Sequence, residues 1–506
     1  MKIKIKFLIF CILLFLIFPL VIVRADYIND LPQRAAEKIK SNRKYSTETK
    51  EDIIKSFNNK LYSYDNFEKE LAVNKINIGL GESSRMISKQ KALNDIDFLF
   101  RLIKYGYAGY EYFGGEDAFN KSKNMMIKEI KAQSFLSRIF VSKLEKIIIN
   151  NLQFLQDGHF GIADQSLFNK YYYFSSPRFD FIKDKDGYYT YINEEKMYLK
   201  ELDADKEVSK YLKMSLNKKG EIIYRIGLIS KKDRSNIKLK GLFVKKGEQK
   251  NENIVLIKRN DLLNRKKTQY DLKKISGINV IEHTSANASQ ENIEKLEKFA
   301  EEAKKFKDDK YFIIDLRGNS GGNSWYAREW IKNYTGVIPD TGFIEASLAT
   351  KTSNQLFKNS LKKYYGSEDP ENHPIYSQIL EIDEDGWADL DYSPLKKIKN
   401  PNLILVLIDS GVASAGEAFI SYLRQLENVI FFGVNTRGLV NTGNLGYCQL
   451  PNSKIDVFIP KDFSLEPNFI LREGKGFYPD FWIKSDDALN KSLLFLKRYY
   501  LMEGNE

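Results

Sequence analysis

Two unbroken apolar runs in the second half of the chain constrain its fold more than any other feature. Residues 311–314 and 403–408 have the pattern of strands that are buried on both faces of a sheet. Shorter runs at 278–281 and 429–432 have the same character, and helical patterns lie between them. The alternation of strand and helix predicts an α/β fold, in which helices pack on a mostly parallel sheet.

The 506-residue chain divides by pattern into an export segment, described below, and three larger segments. Residues 26–165 read as a helical N-terminal region, whose last helix is predicted to stop at Asp157-Gly158, so that His159 directly follows a helix end. Residues 166–270 contain short β-rich runs separated by turn residues, and indicate a β-rich middle domain. The strand–helix alternation then fills 271–506.

The first 25 residues have the pattern of an export signal. Three lysines precede an apolar run at 7–23, and the small-residue ending at 23–25 suits a signal peptidase. We therefore expect 1–25 to be a signal peptide, with an uncleaved anchor as the alternative, and the protein to be extracellular or on the cell surface. Cleavage would remove Cys11 and leave Cys448 without a partner for an intrachain disulfide.

Charge and composition exclude several classes of protein. The 79 Lys and Arg residues are mixed with 67 Asp and Glu along the chain, which is typical of a solvated surface, and we expect no nucleic-acid partner. With three histidines and two cysteines, a zinc finger and a disulfide-rich scaffold are excluded, and an HExxH motif is absent. We expect neither metal nor cofactor, and membrane contact only if the N-terminal segment is retained.

Two glycine-containing loops follow the two long apolar runs, where open α/β sheets bind ligands. The first, at 315–323, lacks the Gly-Lys-Ser/Thr ending of a phosphate-binding loop and the spacing of a dinucleotide-binding loop. The second, at 409–417, places Ser414 at the start of a helix, where backbone N–H groups suit a nucleophile and its oxyanion. Ser414 could equally be a helix N-cap, because Glu417 three residues later completes a capping box.

The ordered set of motifs resembles the tail-specific (C-terminal processing) serine peptidase family. The resemblance spans about 155–480 and is carried by five stretches in the family's order: LQDGH at 155–159, DLRGNSGG at 315–322, SGVASAGE at 410–417, GVNTRG at 433–438 and EGKGFYPD at 473–480. It implies a crotonase-like ββα core at 271–506 and a peptide or protein substrate. The oligomeric state stays open.

The resemblance implies Ser414 as the nucleophile and favours the tricorn-like Ser/His/Glu branch of the family. In the other branch a lysine activates the serine, but Leu439 stands in its place, and the neighbouring Arg437 has too high a pKa to be a base. His159 would then be the general base and Glu473 the carboxylate that orients it.

The resemblance also implies an oxyanion hole of backbone N–H groups from Ala415 and from Gly321 or Gly322. The other two histidines, His283 and His373, are expected at the surface. The expected activity is that of a serine endopeptidase. Two alternatives stay open: a peptide- or ligand-binding protein on the same scaffold without turnover, and an esterase or amidase that uses the same triad.

Overall fold

The structure is a computed structural model that describes most of the chain. The residues described are 27–43, 50–63, 75–76, 84–133, 137–259, 263, 265–365, 386–469 and 471–501. The expected signal at 1–25 and His373 lie outside these residues.

The α-helices lie in the N-terminal part and around the central sheet. They are α1 (Gln33–Ser41), α2 (Lys50–Asn58), α3 (Lys89–Gly106), α4 (Gly115–Ala132), α5 (Val141–Asn151), α6 (Ile293–Glu302), α7 (Trp325–Thr335), α8 (Lys351–Tyr365), α9 (Ala415–Leu423) and α10 (Ala488–Leu496).

The strands form three larger sheets and one short pair. They are β1 (Met86–Ser88), β2 (Arg138–Phe140), β3 (Asp157–Ile162), β4 (Gln165–Leu167), β5 (Tyr172–Ser175), β6 (Ile182–Lys183), β7 (Tyr188–Ile192), β8 (Glu195–Leu202), β9 (Leu212–Leu216), β10 (Ile222–Ser230), β11 (Asn236–Lys245), β12 (Glu248–Lys258), β13 (Asp271–Ile275), β14 (Ile278–Glu282), β15 (Tyr311–Asp315), β16 (Ile344–Ala349), β17 (Gly386–Tyr392), β18 (Leu403–Ile408), β19 (Val429–Gly433), β20 (Thr442–Gln449), β21 (Asp456–Leu465) and β22 (Phe481–Trp482).

The first sheet has the strand order β13-β14-β15-β18-β19-β22 and is parallel from β14 onward. Its middle strands are apolar on both faces because each face is covered by its own apolar layer. Phe312 and Val406 face the layer that contains α6, α7 and α9, while Ile313 and Leu405 face the layer that contains α10. The chain is therefore a mixed α/β protein, as the alternation of apolar runs predicts.

The second sheet is antiparallel and is built from the segment that reads as β-rich. Its strand order is β6-β7-β8-β11-β12-β5-β10-β9, and it has an apolar cluster of its own around Phe181, Phe243 and Leu256. It meets the first sheet where the Ser215 hydroxyl donates to the carbonyl of Trp482, and where Tyr173 packs on the Trp482 ring.

The third sheet has the order β17-β16-β21-β3-β4, with β20 also paired to β21, and it carries the N-terminal helices on one side. Here the structure differs from the sequence pattern. The helix α5 ends at Asn151, and His159 lies within strand β3 instead of directly after a helix. Pairing of Gly161 and Ile162 with β21 draws this segment into the sheet, and that contact is invisible to local periodicity.

None of the helices in the part of the chain that the structure describes is both long enough and apolar enough to cross a membrane.

Candidate active site

The two glycine-containing loops meet at the carboxyl ends of β15 and β18, because these strands are parallel neighbours. The carboxylate of Asp409 accepts the N–H of Gly318 at 2.8 Å, which joins the second loop to the first. The N–H of Ala413 donates in turn to the carbonyl of Asn319 at 2.8 Å. These bonds hold Ser414 against the first loop, and a Cβ on Gly321 would lie 2.8 Å from the Cβ of Ser414.

Ser414 has a strained backbone. Its φ is 50° and its ψ is −120°, a region that residues with a Cβ rarely adopt and that costs about 1–3 kcal/mol. Ser414 and Glu417 also form a capping box, in which the Ser414 N–H donates to the Glu417 carboxylate at 3.3 Å. The helix therefore starts at Ser414, as the N-cap alternative predicts, and the same residue carries the hydroxyl that faces His159.

The Ser414 hydroxyl lies beside the imidazole of His159. The distance from Oγ to Nε2 is 3.3 Å, and the two residues stand 255 positions apart in the chain. Ser414 is half-buried and His159 is also partly accessible, so a substrate can reach both. A serine–histidine hydrogen bond of this length is common before a substrate binds, and it tightens in the complex.

The other ring nitrogen of His159 faces a hydroxyl that the sequence patterns do not single out. Nδ1 lies 3.3 Å from Oγ1 of Thr442, at the start of β20. The Thr442 hydroxyl donates to Oδ1 of Asp157 at 2.7 Å, and Asp157 is fully buried. Asp157 also accepts the backbone N–H of His159 at 2.9 Å, so it holds this residue at two points.

The carboxylate of Glu473 is hydrogen-bonded to the backbone beside the site. It accepts backbone N–H groups of Gly158 at 3.1 Å, Val440 at 3.1 Å and Asn441 at 3.0 Å, and no hydrogen bond joins it to His159 within the described residues. These three donors hold the carboxylate against the backbone of Gly158 and of residues 440–441. The role of Glu473 as the carboxylate that orients His159 stays a prediction, and its observed contact is with Gly158, the residue that precedes His159.

The three backbone N–H groups expected in the oxyanion hole differ in availability. The N–H of Gly321 donates to Oδ1 of Asn319 at 3.0 Å. The carbonyl of Gly321 accepts the N–H of Ala286 at 3.1 Å, so the N–H of Gly322, in the same peptide group, points away from Ala286. In the part of the chain that is described, the N–H groups of Gly322 and Ala415 have no hydrogen-bond acceptor. Of the two glycines, Gly322 is the better donor.

The segment after β19 is tied to the turn at Ser414 by a buried carboxylate. Glu417 accepts the N–H of Gly438 at 2.9 Å and that of Leu439 at 2.7 Å. Burial raises the pKa of Glu417, while these hydrogen bonds lower it. Leu439, where the other branch of the resembled family has its lysine, packs against Gly158 beside His159. It contributes an apolar contact and no titratable group.

Burial and two charges set the basicity of His159. Burial is the largest influence and lowers its pKa, the charge of Asp157 raises it, and the charge of Arg437 lowers it, with a net lowering. At neutral pH the imidazole is therefore neutral and able to accept a proton. Burial and the nearby charge of Asp157 raise the pKa of Glu473 well above its ordinary value, which favours the neutral acid.

His283 is not at the surface, as its position after a strand suggests, but buried in the core. Its ring stacks on Phe299 with 4.0 Å between ring centres, and Nδ1 lies 2.5 Å from the carbonyl of Gln269. Burial lowers its pKa to about 4. Its only part in the site is indirect, because its carbonyl accepts the Asn319 amide at 2.9 Å.

Two residues beside His159, Asp157 and Thr442, were not predicted from the sequence. Asp157 stands inside the LQDGH stretch, two residues before His159, and that position was an available signal. Thr442 had none, because it reaches the imidazole through the pairing of β20 with β21. Among the described residues, no group of three or more His, Cys, Asp or Glu could hold a metal ion. The arrangement joins a hydroxyl, an adjacent base and free backbone donors, which is the equipment for acyl transfer.

Comparisons with known proteins bear on this site. The chain matches no curated protein sequence. Its structure is similar to that of mature CPAF, with 12% identity, a TM-score of 0.42, and 82% of this chain and 99% of that chain covered. The photosystem II D1 C-terminal processing protease is also similar, with 10% identity, a TM-score of 0.34, and 78% of this chain and 93% of that chain covered. A lipoprotein from Streptococcus agalactiae is similar with 14% identity, a TM-score of 0.36, and 83% of this chain and 99% of that chain covered.

A family model matches the central part of the sequence. The model of Peptidase family S41 aligns with residues 277–459, which contain both glycine loops, Ser414 and Thr442. His159 and Glu473 lie outside the matched residues. Residues 277–459 thus match peptidase family S41, the tail-specific peptidase family that the ordered motifs also resemble.

Proposed function

We propose that the protein is a serine endopeptidase in which Ser414 is the nucleophile and His159 the general base. The observation that carries the proposal is the 3.3 Å separation of Ser414 Oγ and His159 Nε2, at a serine with a strained backbone. Glu473 supports the base indirectly, through the N–H of Gly158. The membership of 277–459 in a serine peptidase family supports peptide-bond hydrolysis as the reaction class.

In the proposed reaction, Nε2 of His159 removes the proton from Oγ of Ser414 as Oγ attacks the carbonyl carbon of the substrate. The negative charge that develops on the carbonyl oxygen is stabilised by the N–H groups of Gly322 and Ala415, each worth roughly 3–4 kcal/mol in comparable sites. The imidazolium then gives its proton to the leaving amine, and the C–N bond breaks. Water attacks the resulting ester on Ser414 by the same route and releases the acid.

We also propose that the parallel sheet with its covering helices is a crotonase-like ββα core, which would leave the third sheet as the carrier of the base. The physical support is the placement of Ser414 at the carboxyl end of β18, where a helix begins. We further propose that residues 1–25 direct export. N-terminal sequencing of protein recovered from the culture medium would test this, and a retained first residue would contradict cleavage.

Labelling with a fluorophosphonate probe tests the nucleophile. We expect the folded protein to be labelled at Ser414, and Ser414→Ala and His159→Ala to lose labelling because the nucleophile or its base is gone. Ser166→Ala, which changes an exposed serine on β4, is the matched control and should be labelled normally. A wild-type protein that folds but is not labelled would favour the alternative of a binding protein without turnover.

Comparison of peptide and ester substrates tests the reaction class. The same hydroxyl and base could hydrolyse an ester or amide, because acyl transfer uses the same groups. We expect internal peptide bonds to be cleaved, with products identified by mass spectrometry. Ester hydrolysis without any peptide cleavage across a varied peptide library would make the protein an esterase.

A further inference from the structure

The side of the His159 ring that faces away from Ser414 makes hydrogen bonds that have no role in the reaction proposed above. Nδ1 lies 3.3 Å from the Thr442 hydroxyl, which donates at 2.7 Å to Oδ1 of Asp157. Asp157 is 0% exposed and Thr442 is 7% exposed, so water does not separate these groups from one another. A serine, an imidazole, a hydroxyl and a carboxylate thus form one line.

The hydrogen bonds along this line can donate in only one direction if His159 is to act as a base. To act as a base, His159 must present a lone pair at Nε2, so its proton is on Nδ1. The Nδ1–H then donates to Oγ1 of Thr442. The Thr442 proton is already directed at Asp157, which as a carboxylate can only accept. The Thr442 hydroxyl therefore accepts one hydrogen bond and donates one.

Asp157 is held in the fold by four hydrogen bonds. Oδ1 accepts the N–H groups of His159 at 2.9 Å and Phe160 at 3.1 Å in addition to the Thr442 hydroxyl. Oδ2 accepts the hydroxyl of the buried Tyr107 at 2.8 Å. A carboxylate that receives four donors is held in one orientation, and its charge is stabilised by each of them.

Glu473 is less suited to the same task. Its three hydrogen bonds come from backbone N–H groups, and none of its contacts in the described residues reaches the imidazole. The buried charge of Asp157 nearby also raises the pKa of Glu473 and favours its neutral form. A neutral acid cannot stabilise a positively charged imidazolium by charge.

We propose that Asp157, acting through the hydroxyl of Thr442, is the carboxylate that orients His159 and stabilises its imidazolium. Both Thr442 and Asp157 are positioning residues. The proton from Ser414 stays on His159 until it passes to the leaving group, and no proton moves to Thr442 or Asp157. The inference rests on the proposed function, since it assigns roles to the neighbours of the same serine and histidine.

Nitrogen-15 NMR of histidine-labelled protein tests the line without any need for turnover. The chain has only three histidines, so the ring signals can be assigned by single substitutions. We expect the neutral His159 ring to carry its proton on Nδ1 and this proton signal to shift in Thr442→Val. His283, which bonds to the carbonyl of Gln269, is an internal control whose signals should stay unchanged. A neutral His159 ring protonated on Nε2 would overturn the proposal.

Kinetics of two threonine variants test the function of the line. Thr442→Val removes the hydroxyl and keeps the branched shape, and we expect kcat to fall roughly 10- to 100-fold with KM within about twofold. Thr442→Ser restores a hydroxyl and should recover most of kcat. If Thr442→Val retains full kcat, or if Thr442→Ser is as slow as Thr442→Val in equally stable protein, the proposal is wrong.

The pH profile separates a role in charge stabilisation from a structural one. Asp157 and Arg437 are the charges that act on His159, and Asp157 raises its pKa. Asp157→Asn should therefore move the acidic limb of kcat/KM to lower pH as well as lowering kcat. An unmoved limb would contradict the proposal. If wild-type protein is not labelled by a fluorophosphonate, the proposed function fails, and the NMR result still decides the inference about the ring.

Discussion

At the residue scale, the backbone of Ser414 is the clearest sign of function. A serine with φ of 50° and ψ of −120° costs stability, and it persists because Asp409, Ala413 and Glu417 hold the turn from both sides. The same turn places the hydroxyl beside the imidazole of His159. The fold thus gives up stability at the residue proposed as the nucleophile.

A pair of substitutions at Ser414 measures this strain. Both Ser414→Ala and Ser414→Gly remove the hydroxyl, but only glycine adopts a positive φ without steric cost. We expect the glycine variant to be more stable than the alanine variant by about 1 kcal/mol, measured by urea denaturation. An alanine variant as stable as the glycine variant would show that the backbone is relaxed.

The charge of Arg437 sets part of the pH dependence. Because this charge lowers the pKa of His159, Arg437→Gln should raise that pKa. The proposed base is active only when neutral, so the acidic limb of kcat/KM should move to higher pH and activity on that limb should fall. Arg498→Gln, which changes an exposed arginine paired with Glu221, is the charge-matched control and should leave the profile in place. A shift to lower pH would refute the assignment.

At the element scale, the loop after β15 depends on a close backbone approach. Gly322 has a φ of 135°, and a Cβ there would overlap the carbonyl of Ala286. The pairing of Gly322 with Ala286 also sets the direction in which its N–H points. The glycine is therefore required by contact as well as by conformation, and the oxyanion donor depends on it.

Alanine substitutions at two glycines separate contact from conformation. Gly322→Ala must displace the loop, and we expect kcat to fall by about 100-fold or more as the donor moves. Gly247 also has a positive φ, of 89°, but open space around it, so Gly247→Ala should lower stability slightly and leave kcat unchanged. Equal kcat values for the two variants would exclude Gly322 from the oxyanion hole.

At the scale of the whole molecule, the site is assembled from distant parts of the chain. One buried cluster joins helix residues such as Leu99 and Ile148 to Val457 and Ile459 of β21, the strand that pairs with β3. The position of His159 therefore depends on the packing of the N-terminal helices against the third sheet. Loss of this packing would separate the base from the nucleophile.

A core substitution far from the site tests this dependence. Ile148 is 0% exposed, and Ile148→Ala should lower the free energy of unfolding by about 2–5 kcal/mol. Hydrogen exchange should then accelerate in α3 and in β21 together, because both border the same cluster. The control Met125→Ala, at a side chain 49% exposed, should cost less than about 0.5 kcal/mol. Acceleration confined to α5 would show that the helices unfold independently of the sheet.

The local sequence pattern was sufficient to predict the strands of the parallel sheet, because strands buried on both faces must be apolar throughout. The runs at 311–314 and 403–408 became β15 and β18, and their glycine loops meet as parallel neighbours should. The pattern around His159 was misleading: the expected helix stop at 157–158 is a strand, because β21 supplies partners that local periodicity does not contain.

The sequence by itself determined the α/β class and the two loops and predicted Ser414 with His159, since buried strands and ordered motifs are written in adjacent residues. Only the tertiary structure decided which groups surround the imidazole. Thr442 and Glu473 are separated from His159 by about 300 positions, and side-chain direction at that range follows from strand pairing. That pairing placed the Thr442 hydroxyl between Nδ1 and the carboxylate of Asp157, and the carboxylate of Glu473 against backbone N–H groups.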